Sequence, residues 1–263
     1  MIKHLVLVET LSHLTQKDAP FEYIDTHSGA GLFNLESANA LKLQEHQSGF
    51  ALLDPEGFPA LDGYFDVIKS YNRNGKIRVY PGSPAIAAHF LRSQDRAWLC
   101  ELHPQDYQFL CKNMKKSRKI RVFNSDGLKQ LDSLLPPTSR RGLVLIDPSY
   151  EVKSEYDDVF KAIVKGYKRF ANGIYALWYP VVDRSKIDHL ERRFVQSGIK
   201  NIQRFELGVA PDANERGMTA SGMFLINPPW KLFATMSAVL PEIARVLGDS
   251  NNPLFKCDVI VSE

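Results

Sequence analysis

The stretch Phe21-Glu22-Tyr23-Ile24-Asp25-Thr26-His27-Ser28-Gly29-Ala30-Gly31 is a short apolar run that passes straight into an acid and a glycine turn. Glycines beyond a strand permit a tight turn and a close approach of backbone to a ligand, as at the nucleotide sites of open α/β sheets. Three runs downstream repeat the pattern. Ala97 to Cys100 ends at Glu101, Ile120 to Phe123 leads to Asp126, and Leu143 to Ile146 ends at Asp147. Stretches of helical character separate several of these runs, which predicts parallel strands that carry their acids to one sheet edge. Ile174 to Trp178 reads as a fifth strand, while Gln203 to Val209 and Gly222 to Ile226 read as a closing pair. The expectation is an α/β protein with a mostly parallel sheet of about seven strands.

Some 70 residues separate the first two strands, far beyond a usual βα connection of roughly 2–6 residues plus a helix. An inserted helical subdomain at 33–79 accounts for them, within a single domain spanning 1–263. Its expected core is Leu52, Leu53, Phe58, Leu61, Tyr64, Phe65, Val67 and Ile68. Pro81-Gly82-Ser83-Pro84 then opens a helix over Ala85 to Leu91, with Ser83 expected at the N-cap and Pro84 at the first helical position.

Composition narrows the class. The 263 residues are 24% charged and 44% hydrophobic, a globular profile, and no apolar run approaches the ~18 residues of a membrane span. No signal-peptide pattern opens the chain, so a cytoplasmic protein is expected, read here as a monomer. Cys100, Cys111 and Cys257 include no C-x-x-C pair and are expected to be buried thiols, and the histidines have no metal-ligand spacing. The net charge of +3 is mild. Basic residues nevertheless cluster at Lys112, Lys115, Lys116, Arg118, Lys119 and Arg121, at Lys165, Lys168 and Arg169, and at Arg192 and Arg193, where they can meet phosphates.

The strand-end residues fit a nucleoside. A carboxylate at Glu101 can accept hydrogen bonds from both ribose hydroxyls, and Asp126-Gly127 can receive the exocyclic amine of an adenine. Asp147-Pro148-Ser149-Tyr150 adds a reaction. The amine of a nucleobase is a poor nucleophile because its lone pair is delocalised into the ring. A carboxylate at Asp147 and the Pro148 carbonyl, both accepting from that amine, draw the nitrogen towards tetrahedral geometry and expose the lone pair. Tyr150 can stack on the base, a contact worth roughly 1–3 kcal/mol.

These motifs, with Glu101-Leu102-His103-Pro104, Tyr80-Pro81-Gly82-Ser83-Pro84 and Tyr175-Ala176-Leu177-Trp178-Tyr179-Pro180, resemble the bacterial 23S ribosomal RNA adenine N6-methyltransferase J family over almost the whole length. The resemblance implies a Rossmann-like class I fold and transfer of the S-adenosylmethionine methyl group to N6 of an adenine in 23S rRNA, free or partly assembled. Family members are also described as involved in use of external DNA, and a DNA adenine methyltransferase or a nucleic-acid-binding protein with impaired catalysis is the alternative. Carried over residue by residue, the resemblance places the cofactor at His4, His27, Gly29, Ser83, Glu101, Asp126, Gly127 and Asp147. Catalysis falls to Asp147, Pro148 and Tyr150. Ser149 stands where the family has a second proline, which implies a looser catalytic loop, and the family's His- and aromatic-rich segment of about fifteen residues ahead of the position of Lys3-His4 is absent from this sequence, which implies reduced activity. Asn227-Pro228-Pro229-Trp230 also fits the general motif, but an antiparallel strand is expected to carry it to the opposite edge, where Asn227 is structural.

Overall fold

The apolar runs become strands in the computed structural model, which describes residues 1–36, 49–73, 75–114, 117–152, 154–212, 217–248 and 251–263. Along the chain lie helix α1 (Ile2–Thr15), strands β1 (Glu22–Asp25) and β2 (Leu32–Asn34), helix α2 (Asp62–Tyr71), β3 (Val79–Pro81), α3 (Ser83–Phe90), β4 (Arg96–Cys100) and α4 (Pro104–Asn113). They continue as β5 (Ile120–Phe123), α5 (Gly127–Leu134), β6 (Gly142–Ile146), α6 (Glu155–Arg169), β7 (Ile174–Val181) and α7 (Arg184–Gln196). The chain closes with β8 (Ile202–Gly208), β9 (Ala220–Ile226), α8 (Leu232–Leu247) and β10 (Phe255–Val261).

One sheet has the order β10-β8-β9-β7-β6-β1-β4-β5. Neighbours from β7 to β5 pair in parallel, whereas β9 runs against both β7 and β8. The sheet has eight strands, not seven, because β10 adds to the outer edge of β8 with Cys257 opposite Phe205. This edge strand has no fully buried residue, which leaves its sequence without the continuous apolar run that marks β6.

Alternate residues of the central strands supply two cores. Leu99, Leu143, Leu145 and Met223 pack under α1, α3 and α8, while Ile24, Val144, Ile146 and Phe224 pack under α5, α6 and α7. Helix α1 is apolar around most of its circumference and buries Ile2, His4, Leu5, Val6, Leu7, Val8 and Leu11.

Between β1 and β4, strands β2 and β3 pair antiparallel, with Phe33 opposite Tyr80. Beyond them come three short 3₁₀ turns and α2, whose Tyr64, Phe65, Val67 and Ile68 are buried with Leu53 and Leu61. Phe58 is only partly buried and Leu52 is exposed, so those two depart from the expected core. Helix α3 also begins earlier than its proline predicts. Gly82 is the N-cap and Ser83 the first helical residue, because the Ser83 hydroxyl donates to Asp25 Oδ2 at 2.7 Å instead of capping. Of the three thiols only Cys100 is buried, and Cys111 lies exposed on α4. Lys115 and Lys116 of the expected basic cluster lie outside the described residues.

Candidate active site

The C-terminal ends of β1, β4, β5 and β6 open on a cavity of about 1450 Å³. His4, His27, Gly29, Glu101, Asp126, Gly127, Asp147 and Pro148 all line it. Eight of the ten expected site residues are thus brought together from five separate segments.

Each acid is held by its own loop. Glu101 Oε2 accepts the Gly29 N–H at 2.7 Å and Oε1 accepts the His103 N–H at 2.8 Å, so one carboxylate fixes the glycine turn and the start of α4. Asp126 caps α5 through the N–H groups of Leu128 and Lys129, which orients its carboxylate at a helix N-terminus. At Gly127 a Cβ would lie 2.0 Å from the Thr26 carbonyl oxygen, so only glycine lets these loops approach. Beneath the turn, Asp25 is fully buried and accepts from Tyr23 and Ser83. Burial pushes its carboxyl up to about 6. Burial likewise holds the His27 imidazole down to about 4, against the opposing pull of Asp126.

At β6, the Asp147 carboxylate is paired through Oδ2 with the Lys3 ammonium, and burial raises its pKa against the effect of that cation. No protein donor reaches Asp147 Oδ1 among the described residues. Lys3 has no local sequence signal for this role, because 144 residues separate it from its partner. Spacing along α1 is the only trace: His4, the next residue, enters the same cavity wall. His4 Nδ1 lies 2.8 Å from the Tyr80 hydroxyl, while the buried Nε2 has no partner.

Two expected residues stand apart from the cavity lining. Ser83 is engaged by Asp25 behind the glycine turn. Tyr150 has φ +57°, and its hydroxyl donates to the Trp178 carbonyl at 2.7 Å while its ring packs on Tyr156. Trp178, not singled out as a site residue by its sequence, lines the cavity instead. Asn227 lies at the opposite edge, where its side-chain amide donates to the carbonyls of Ala171 and Gly173, both at 2.8 Å.

Five parallel strands, four of which lead into acids at one cavity edge, with the reversed strand β9 beside them, define a class I S-adenosylmethionine-dependent methyltransferase. A family model described as "Ribosomal RNA large subunit methyltransferase D, RlmJ" matches residues 18–258, and the chain belongs to that family. It is 49% identical over 243 residues to the ribosomal RNA large subunit methyltransferase J of Escherichia coli K12, covering 92% of this chain and 87% of that one. The protein of the same name from Haemophilus influenzae is 47% identical over 250 residues, covering 94% and 89%. A Legionella pneumophila protein of known crystal structure superposes with a TM-score of 0.90 at 39% identity, covering 98% of this chain and 95% of that one.

Proposed function

We propose that the enzyme transfers the methyl group of S-adenosylmethionine to N6 of an adenine in 23S rRNA, acting as a monomer on free or partly assembled RNA. The observation that carries this reading is Asp147, whose Oδ1 is open in the wall that also holds Pro148, Glu101 and Asp126.

The residues present fit the cofactor. The partnerless His4 Nε2 is a buried polar atom in the cavity wall, and the contact of Gly127 with Thr26 forms a backbone cradle that a side chain would fill. Glu101 would hold the ribose, Asp126 and Gly127 the adenine ring, and His4, His27 and Gly29 the remainder, with Asp147 on the methyl side. Ser83 would act through Asp25, by fixing the carboxylate under the turn. When bound, S-adenosylmethionine supplies an electrophilic methyl group. The chain itself aligns the target amine, whose N–H groups donate to Asp147 Oδ1 and to the Pro148 carbonyl. Lys3 opposes the burial that raises the pKa of this carboxylate and so favours its charged form. Tyr150 reaches the base by releasing the Trp178 carbonyl, on which Trp178 supplies a second ring. A duplexed adenine has to be flipped out to enter. The described part of the insertion, α2 with the β2–β3 pair, is assigned to the RNA-facing side, since β3 places Tyr80 on His4.

Incubation with labelled S-adenosylmethionine and three substrates tests the assignment: deproteinised 23S rRNA, assembled large subunits and double-stranded DNA. Label recovered as N6-methyladenine from the deproteinised RNA is expected. Label in DNA alone, or in a base other than adenine, overturns it.

A further inference from the structure

A second concavity, of about 430 Å³, opens at the other edge of the sheet, where β1, β4 and β5 begin. Its walls carry Arg96, Arg118, Lys119 and Arg121 around Trp98 and Glu22. Glu22 is the lone carboxylate of this lining and does not neutralise it. Buried at the floor, it accepts from the Trp98 indole N–H at 2.7 Å and from the Ser139 N–H at 2.9 Å. The Arg121 guanidinium lies over the Trp98 ring, 5.9 Å from its centroid, and Arg118 is exposed. Among the described residues none of the four cations has an acidic partner.

The basic residues beside the main cavity differ. Lys129 pairs with Asp126, Lys161 with Asp157, and Lys165 and Arg169 with Asp132. Their charge is compensated within the fold. Charge left uncompensated in a concave surface focuses the field and attracts polyanions, and repulsion among the four cations is relieved when phosphates enter.

We infer that this groove binds the phosphate backbone of the RNA at a distance from the target base. The inference rests on the RNA reading above and adds a place on the molecule. Strand β4 separates the two edges by five residues, roughly 16 Å at a strand rise of ~3.3 Å, so one folded RNA arm meets both. The spread of cations over the starts of β4 and β5 suits successive phosphates better than a single small anion.

The test is equilibrium binding of a fluorescent protein-free 23S rRNA transcript over a series of salt concentrations. It compares the wild type with Arg118→Gln/Arg121→Gln and with Arg118→Glu/Arg121→Glu. Calorimetry with S-adenosylmethionine, bound at the other edge, reports that the variants are folded. The glutamine pair is expected to bind the transcript about tenfold more weakly and the glutamate pair more weakly still. The log–log salt slope should fall by about 1.5, at roughly 0.7–0.9 per lost phosphate contact. A short adenine-bearing oligoribonucleotide that cannot span both edges should bind all three proteins alike. Unchanged transcript affinity and slope in variants that still bind the cofactor overturn the groove. So does displacement of ATP or inorganic phosphate from it without an effect on the transcript. Loss of transcript binding in a protein that methylates no RNA would retain the groove and reject the proposed reaction, so the two failures are distinct.

Discussion

Asp147-Pro148-Ser149-Tyr150 and Asn227-Pro228-Pro229-Trp230 are two versions of one pattern at the ends of β6 and β9, the strands on either side of β7. Both include a residue with positive φ, Tyr150 at +57° and Asn227 at +53°. Strand β6 points its motif at the acids of β1, β4 and β5, whereas β9, reversed, points its own at the loop before β7. The Asp147 carboxylate keeps an open oxygen; the Asn227 amide is consumed by two backbone carbonyls. Strand direction, and not motif, separates a reacting group from a brace.

The largest expected effect is at Asp147. Asp147→Ala should lower methyl transfer by at least about 10²-fold, the lower range for a positioned proton acceptor, with the thermal transition retained. Asn227→Ala should leave transfer measurable in the same assay, and the reverse pattern would exchange the two motifs' roles.

Next is the acid response of the site edge. His27 has a folded pKa of about 4 against 6.5 unperturbed, so its contribution is present above 6.5 and lost as pH falls to 4. Asp25 has a folded pKa of about 6 against 3.8, so its contribution is present below 3.8 and lost as pH rises through 6. Each corresponds to about 3 kcal/mol and the two oppose one another. Over pH 6.5 to 4 in denaturant unfolding, His27→Asn should therefore gain on the wild type as pH falls, by up to about 3 kcal/mol. Parallel profiles for the two proteins would remove His27 from the account.

Glu101→Ala should weaken S-adenosylmethionine by about 1.5 kcal/mol, roughly tenfold, the lower range for a hydrogen bond to a charged group. Calorimetric affinity equal to the wild type would reassign the ribose. At the opposite edge, Asn227→Ala should cost about 1 kcal/mol of stability, read from the shift in denaturant midpoint. Smallest of all is Ser149→Pro, which restricts Pro148 to extended backbone and should raise turnover by less than about threefold. A large loss there would show that the Ser149 N–H is needed.

The parallel strands were legible because continuous apolar runs ending in acids admit few other readings, and Ile120–Phe123 has the same bounds in sequence and structure. Around the site, the expected residues on strand ends line one cavity, since strand direction delivers them. Lys3 and Trp178 join them without a sequence signal, because helix packing and β7 bring them in. Helix α1 went unread for a physical reason. Burial on nearly all sides erases the polar face whose 3.6-residue period marks a helix. Strand β10 was missed from the opposite cause, too few buried residues to write a pattern.

The pair of β2 and β3 has a bearing on how such a scaffold changes over generations. Leu32 opposite Pro81 and Asn34 opposite Val79 bring the two ends of a long detour side by side, like the neck of a flask. The Gly82 N–H donates to the Gly31 carbonyl at 2.9 Å just below it, which pins the neck beside the edge where the acids gather. Beyond it, Phe50, Leu53 and Leu61, with α2, whose Tyr64 and Phe65 join the core beside α1, tie the detour to the body. Exchange of sequence there meets a limit, because Phe50, Leu53 and Leu61 are buried in the same core and Phe50 packs on Tyr80, the partner of His4.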